Sequence, residues 1–367
     1  MKIAVVGGGI NGIMIAWEVS KAGHAVEVFE RDRLMGATSS ASSKILHGGL
    51  RYLEQFHFRL VAESLRERIW WTEQAPEFAR PTQFFIPIYS NSARASLKIR
   101  AGLVLYDLLA GRRRFGKSQW YPREEMLKLD ATLNPQGFEG AFGFFDVLMD
   151  DLRLGLWAAR QAHAAGVCIH ENMLAERIDE DGGVHVNGGR KQFDYVINVA
   201  GPWAEALLQR SNIPTKIHLD LVRGSHIVLD EKRERAYLLQ VPHEDRICFA
   251  LPYKGKSLIG TTEVRQTLEQ AIVCSQEERL YLLRVRNHYF GPAKDENDIV
   301  ETFSGLRPLV QSHRDPGKAT REYMIQRHGR ALTVFGGKWT TSRALGLKVA
   351  AQIRSRAARK SQGTANL

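Results

Sequence analysis

Cysteine is scarce in this chain: there are three in 367 residues, Cys168, Cys248 and Cys274, widely spaced and without a CxxC pair. That excludes a disulfide-stapled miniprotein and a zinc ribbon, and fits reduced thiols buried in a core within a reducing compartment. No metal site is expected. No run of 18 apolar residues occurs, so no spanning helix is expected. Met1 leads directly into KIAVVG, without the basic, apolar and small-residue succession of a secretory leader. Internal repeats and low-complexity tracts are also lacking. Acidic residues are the minority, 40 against 51 basic, giving a formal charge of +11. That excess favours an anionic ligand, a nucleic acid or an acidic lipid surface without choosing among them. No helix-turn-helix, zinc or aromatic-platform pattern supports a nucleic acid.

What is present is an ordinary globular mixture, 44% hydrophobic and 25% charged, long enough for two domains at about 150 residues each. Residues 3–6 (IAVV) form a short apolar run, expected as a buried parallel strand. Gly7, Gly9 and Gly12 then spell GxGxxG, followed by helix formers from residue 13 to 22 and a stop at Gly23. In this order the first glycine permits the turn, the second admits a pyrophosphate to the backbone, and the third lets helix pack on strand. Ile10 and Asn11 lie inside the turn. A second strand over residues 25–29 ends at Glu30, eighteen residues past Gly12, where a carboxylate accepts hydrogen bonds from a ribose. The pattern reads as a dinucleotide site.

Residues 36–51 (GATSSASSKILHGGLR) are too rich in glycine and small hydroxyls for a nicotinamide-enzyme helix. Such donors and close-approach backbone suit a long ligand with many oxygens, such as the ribityl pyrophosphate of FAD. The segment, extended to GATSSASSKILHGGLRYLE, resembles the signature of FAD-dependent glycerol-3-phosphate dehydrogenases, in the D-amino-acid-oxidase-like flavoprotein superfamily. DDLRL at 150–154, NVAGPW at 198–203, GSHIV at 224–228, IGTTE at 259–263, FSGLRPL at 303–309 and FGGKWTT at 335–341 resemble that family's blocks in order. Family members commonly continue into a C-terminal helical cap domain, so the chain resembles a short form.

The resemblance implies an α/β fold: a Rossmann-like FAD-binding domain of glutathione-reductase-type βαβ character, interleaved with an α+β substrate domain on an antiparallel sheet. Residues 1–80, 149–213 and 300–367 are expected in the first, and 81–148 and 214–299 in the second. Asp151 is expected to cap a helix reaching about residue 165, before strands at 167–169 and 195–199. Strand-like segments at 219–229, 236–241, 247–251 and 257–261, the last two joined through Lys254-Gly255-Lys256, predict the antiparallel sheet.

It also implies a cofactor site of Gly7, Gly9, Ile10, Asn11, Gly12, Glu30, Arg31, Thr38, Ser39, Ser42, Ser43, Lys44, Leu46, His47, Gly48 and Gly49, with Ala200, Gly201, Trp203, Gly305, Arg307, Gly336, Gly337, Lys338, Trp339 and Thr340. It further implies that Arg307 and Arg321 clamp the substrate's phosphate, with Arg51, Tyr52 and Lys338 near flavin and substrate. Guanidinium matches phosphate by paired donors and stays charged. His226, on a strand of the expected pocket floor, is the leading base for a hydroxyl proton; His47 is the next candidate. His226, Arg51 and Lys338 are thus the expected catalytic groups.

The implied reaction is oxidation of sn-glycerol 3-phosphate to dihydroxyacetone phosphate by hydride transfer to flavin N5, with quinone or another acceptor taking the electrons. Alternatives are oxidation of another small anionic alcohol, 2-hydroxy acid or amine, or a flavin-binding protein without turnover. Residues 94–114 (RASLKIRAGLVLYDLLAGRRR) have an apolar centre between arginines. Such a segment can lie on acidic lipid or pack as a helix of the substrate domain. The expected location is cytoplasmic, with peripheral contact at the inner face of the cytoplasmic membrane.

Overall fold

In a computed structural model, which describes residues 1–311 and 323–364, the chain divides into two units. The first comprises residues 1–40, 150–222 and 306 onward; the second comprises 41–149 and 223–305. Residues 41–80, grouped with the dinucleotide segments by sequence, lie in the second unit. The physical reason is strand pairing: Ile45–Leu46 and Ala79–Tyr89 both bond to Phe138–Met149.

The first unit holds a six-stranded sheet in the order Met324–His328, Ala331–Phe335, Tyr195–Asn198, Lys2–Val6, Ala25–Phe29, Cys168–His170. All neighbours are parallel except the first pair, which is antiparallel. The interior of Lys2–Val6 is apolar and buried, as a central parallel strand covered on both faces requires. Helix Ile10–Lys21 follows from the glycine turn, and the helices Asp151–Ala164 and Ser342–Thr364 pack against it. The cap of Asp151–Ala164 is Asp150, not the expected Asp151: the Asp150 carboxylate accepts the Arg153 amide at 3.1 Å. Asp150 has the extended backbone of a cap, while Asp151 is already helical.

The second unit is built on a ten-stranded sheet. Leu219–Leu229, within which the chain enters this unit, is followed by Lys256–Gly260, Ile247–Tyr253 and Ala236–Gln240, all antiparallel as expected. The turn between the second and third of these strands uses positive φ at Lys254 (49°) and Gly255 (76°), the twist that suits a two-residue hairpin. The sheet then continues through Ala79–Tyr89, which pairs in parallel with Ala236–Gln240, so it is not wholly antiparallel. Residues 94–114 contain a helix, Ser96–Ala110.

Charge is buried in this unit. Arg68, on helix Phe58–Gln74, is 1% exposed, and Asp146, on Phe138–Met149, is 4% exposed; the two form an ion pair. The Tyr106 hydroxyl, from helix Ser96–Ala110, donates to the same carboxylate oxygen at 2.8 Å, and the Gly48 amide approaches it at 3.2 Å. The Gly48 amide also lies 2.8 Å from the Tyr106 oxygen. Burial pushes the Asp146 carboxyl up, and its bonded neighbours pull the other way without reversing the shift.

Removing one partner from such a cluster leaves a buried charge uncompensated. Asp146→Ala is expected to cost about 3–5 kcal/mol, read as a fall in the denaturant midpoint. A double replacement, Arg68→Met with Asp146→Leu, is expected to recover most of that loss.

Candidate active site

In the first unit the strand Lys2–Val6 ends at Gly7, whose φ of +115° and close approach to the Val199 carbonyl (2.4 Å from an added Cβ) admit only glycine. Gly12 is as constrained, since a Cβ there would meet the Gly7 oxygen at 1.9 Å. Gly9 caps helix Ile10–Lys21 with no side chain of its own. The first free helical amide, of Ile10, is taken by Ser39 Oγ at 3.0 Å, so a hydroxyl of the Ser-rich segment stands at the helix N-terminus. The Glu30 carboxylate accepts the Gly8 amide at 2.6 Å and the Asp32 amide at 2.9 Å, which fixes it at the edge of the turn.

The remaining blocks of this unit close around the same turn. Trp339 Nε1 donates to the Ser39 carbonyl at 2.8 Å, and Thr38 Oγ1 to the Leu306 carbonyl at 2.7 Å. Gly337 has φ +98°, and a Cβ on it would meet the Asn11 amide nitrogen at 2.7 Å. Asn11 Oδ1 is buried and has no hydrogen-bond partner among the described residues. Gly336 is also left-handed, at φ +76°. Arg31 lies over the Trp203 ring, 4.3 Å from its centroid, beside the Ala200-Gly201 turn. A helix N-terminus, a fixed carboxylate, a Cβ-free cradle and a buried acceptor without a donor suit a dinucleotide. Thr340 is buried at the foot of helix Ser342–Thr364; Arg307 and Lys338 are half-buried members of this unit. Arg321 lies outside the described residues.

In the second unit the Ser-rich segment continues as Ser42, Ser43 and Lys44. Lys44 has φ +59° and its amide lies 3.0 Å from Ser42 Oγ. Its ammonium, on a residue 8% exposed, lies 4.7 Å from the Phe303 ring centroid. His226, on Leu219–Leu229, stacks on the other partner of that contact, Phe303, at 4.7 Å and 14°, and its Nε2 lies 3.0 Å from Ser43 Oγ. Its pairing partner across the sheet is Gly260, where a Cβ would sit 2.0 Å from the imidazole Cδ2. A larger residue at 260 would expel the ring. Gly305 is similarly tight against the Ala41 carbonyl, at 2.7 Å from an added Cβ.

Leu46 is buried in the short strand Ile45–Leu46. His47 and Tyr52 follow with ring centroids 6.4 Å apart, and a Cβ at left-handed Gly49 would strike the Tyr52 ring at 2.3 Å. Arg51 opens the same turn, Leu50–Gln55. The second unit thus brings Ser43, Lys44 and His226 together, and separately His47, Gly48, Gly49 and Tyr52.

Sequence reasoning missed the groups that hold these in place. Asp146 and Tyr106 accept the Gly48 amide, and Arg68 pairs with Asp146 behind them; a lone acid in the apolar run FGFFDVLM was the signal. Phe303 and Gly260, quoted only as parts of blocks, form the faces around His226. Beneath them Ser225 Oγ bonds Glu278 at 2.8 Å and Ser304 at 2.8 Å, while Arg223 pairs with Glu278 at 2.9 Å. Burial opposes ionisation of Glu278, but hydrogen bonds from Thr262, the Ser275 amide, Ser225 and Arg223 outweigh it and hold the carboxyl below its usual range. Burial pushes the thiols of Cys248 and Cys274 up, to about 12 and about 11. Neither is a thiolate near neutral pH. Among the described residues no cluster of three or more His, Cys, Asp or Glu side chains is arranged to hold a metal.

The chain matches the FAD dependent oxidoreductase (DAO) family over residues 2–352. A glycerol-3-phosphate dehydrogenase of Pseudomonas tolaasii is 36% identical over 371 residues, covering 96% of this chain and 71% of that protein. A D-erythritol 1-phosphate dehydrogenase of Brucella abortus (strain 2308) is 35% identical over 366 residues, covering 93% and 71%. The crystal structure of the glycerol-3-phosphate dehydrogenase from Bacillus halodurans complexed with FAD aligns with a TM-score of 0.76 over 99% of this chain and 65% of that one. Its identity is 23%, a likeness of fold.

Gly9→Val would fill the space before Ile10 without forcing the backbone, since Gly9 has an ordinary φ of −73°. The purified variant is expected to keep its circular dichroism spectrum and to carry less than about a tenth of the parent's flavin, because backbone approach to the pyrophosphate is what that glycine provides.

Proposed function

The chain belongs to the FAD-dependent oxidoreductase (DAO) family, and from that premise we propose that it oxidises sn-glycerol 3-phosphate to dihydroxyacetone phosphate. In this reading the first unit holds the adenosine and pyrophosphate of FAD at Gly7, Gly9, Gly12 and Glu30, with Gly336 and Gly337 alongside. The second unit carries the groups assigned to the substrate, His226 and Ser43 among them. The bound flavin supplies an acceptor for the hydrogen leaving substrate C2 with its electron pair.

The chain's own groups then have three tasks. His226 Nε2, held by Ser43 at 3.0 Å and by its stack on Phe303, accepts the C2 hydroxyl proton. Arg307 and Arg321 take the phosphate, a dianion that needs more than one cation. Lys44, Arg51 and Lys338 add positive charge, which favours binding of the anionic substrate and the negative charge that reduction builds. The observation that carries this reading is the part-buried His226–Ser43 pair beside Lys44, in a chain about one-third identical to dehydrogenases named for phosphorylated alcohols. The D-erythritol 1-phosphate dehydrogenase among those relatives favours a second reading, a longer polyol phosphate oxidised by the same groups.

We also propose peripheral contact with acidic lipid and a quinone as final acceptor. Among the described residues no helix is long and apolar enough to cross a membrane. Helix Ser96–Ala110 nevertheless exposes Leu97 at 78%, Val104 at 54% and Leu108 at 71%, flanked by Lys98, Arg100 and Arg112 to Arg114. An apolar stripe edged with cations is what an acidic bilayer surface attracts. The cytoplasm, with its reduced thiols and phosphorylated polyols, is the proposed compartment.

Anaerobic glycerol 3-phosphate at millimolar concentration is expected to bleach the oxidised flavin band, more completely than glycine, sarcosine or 2-hydroxyglutarate; an unchanged spectrum refutes the reading. His226→Gln is expected to retain FAD and slow the bleaching about 10²- to 10⁴-fold, the worth of a placed base. In co-sedimentation with phosphatidylglycerol vesicles, Leu97→Glu with Leu108→Glu is expected to release the protein, as is high salt.

A further inference from the structure

The second unit holds a buried carboxylate, Glu278, that the proposed reaction does not use. It is the third residue of helix Gln276–Tyr289 and closes a capping box with Ser275: its Oε2 accepts the Ser275 amide at 3.0 Å, while Ser275 Oγ accepts the Glu278 amide at 3.3 Å. Capping explains only one of its side-chain bonds. Glu278 is 4% exposed, and three further donors reach it from outside the helix. Its Oε1 accepts Ser225 Oγ at 2.8 Å and Thr262 Oγ1 at 2.6 Å, and its Oε2 pairs with Arg223 Nη2 at 2.9 Å. Burial opposes the charge, but these donors outweigh it, so the carboxylate is ionised near neutral pH.

An ionised carboxylate can only accept, and that fixes the direction of every bond leading to it. The Ser225 hydroxyl spends its proton on Glu278, so the 2.8 Å bond between Ser225 and Ser304 has Ser304 as its donor. Thr262 spends its proton there too, and its oxygen accepts the Ser225 amide at 2.9 Å. Three stretches of chain are tied together in this way. Strand Leu219–Leu229 is held through Ser225, the strand that pairs with it, Ile299–Val310, through Ser304, and the segment following Lys256–Gly260 through Thr262.

These are the stretches that surround His226. Ser225 precedes His226, Ser304 follows Phe303, and Thr262 lies two residues past Gly260. Successive residues of a strand point to opposite faces. The bonded serines therefore lie on one face of the sheet, and the stacked rings of His226 and Phe303 on the other. The ring has no slack, since its Cδ2 lies 2.0 Å from where a Cβ on Gly260 would stand. A slip of one strand against the other would part the serines and the rings together.

We propose that Glu278 is a positioning residue for His226: through Ser225, Ser304 and Thr262 it locks the strands that carry the imidazole, its stacking partner and the glycine that faces it. The proposal rests on the reading of His226 as the base that takes the substrate's hydroxyl proton. The part played by Glu278 is indirect, for it acts from the opposite face of the sheet and sets where Nε2 stands.

The test uses the FAD-loaded full chain and two variants. Glu278→Gln keeps the shape and an acceptor for Arg223 and the Ser275 amide, but turns an NH2 group toward Ser225 and Thr262 and so reverses those bonds. Ser225→Ala breaks the link from Glu278 to Ser304 alone. Each variant is expected to keep its circular dichroism spectrum and flavin content. Each is expected to slow anaerobic flavin reduction by saturating sn-glycerol 3-phosphate about tenfold, with the half-saturating concentration unchanged. In a His226→Gln background the same changes are expected to cost less than about twofold, because the group they position is gone. A loss of equal size in both backgrounds marks general damage and overturns the proposal, as does no loss in the parent background.

A second readout needs no substrate. In protein carrying isotopically labelled histidine, the Cε1–H resonance of His226 is identified by its disappearance in His226→Gln. It is expected to move in Glu278→Gln and in Ser225→Ala while most other histidine resonances stay; a His226 resonance that does not move overturns the proposal. If sn-glycerol 3-phosphate reduces no flavin in the parent, the substrate reading falls, and this resonance alone decides the positioning role.

Discussion

One carboxylate organises the second unit. Asp146 is buried in a strand that is otherwise apolar, and burying it is unfavourable unless every lone pair it carries is used. It draws Arg68 from one helix, Tyr106 from another and the Gly48 amide from the loop. Four separate parts of the chain are thereby pinned to one oxygen-rich point. The loop from His47 to Tyr52 has no long strand or helix of its own to define it, and without that point its backbone would be free to take other paths. The position of helix Ser96–Ala110 follows from the same contact, because Tyr106 is its buried anchor.

The parts of this architecture that depend on local chain chemistry are legible in the sequence. A short apolar run, three spaced glycines and an acid at the end of the next strand describe Lys2–Val6, helix Ile10–Lys21 and Glu30, because each residue there acts on neighbours a few positions away. The hairpin between Ile247–Tyr253 and Lys256–Gly260 is legible for the same reason. The Ser39 hydroxyl on the Ile10 amide, and the Gly337 face against Asn11, are not. They join residues about 30 and more than 300 positions apart, and nothing in either local stretch names its partner. The parallel pairing of Ala236–Gln240 with Ala79–Tyr89 was hidden likewise. Gly260 shows the limit plainly, since its lack of a side chain matters only because His226 happens to face it across the sheet.

Two kinds of surface sit in the second unit. Around His226 the chain gathers polar groups: an imidazole, hydroxyls and an ammonium held by burial and by aromatic faces. Around Gln240 aliphatic side chains such as Leu50, Ile86, Ile99 and Leu238 line a cavity together with Arg51, Glu54, Arg94 and Lys98. The stretch from Ser43 to Leu53 contributes to both, a short piece of chain with a polar beginning and an apolar end. An exchange in its middle, at Gly48 or Gly49, would be felt on either side.

Each unit is stitched from pieces that the chain supplies out of turn, and this shapes the birth of the protein on the ribosome. Ile3 pairs with Tyr195, and Val196 beside it pairs with Ala331. At about 5–20 residues per second, the first strand therefore emerges between about 15 and about 65 seconds before its sheet can be completed. During that interval a bare, apolar strand edge awaits its neighbours, and the nascent chain needs shelter from chaperones until the last glycine turn has left the exit tunnel.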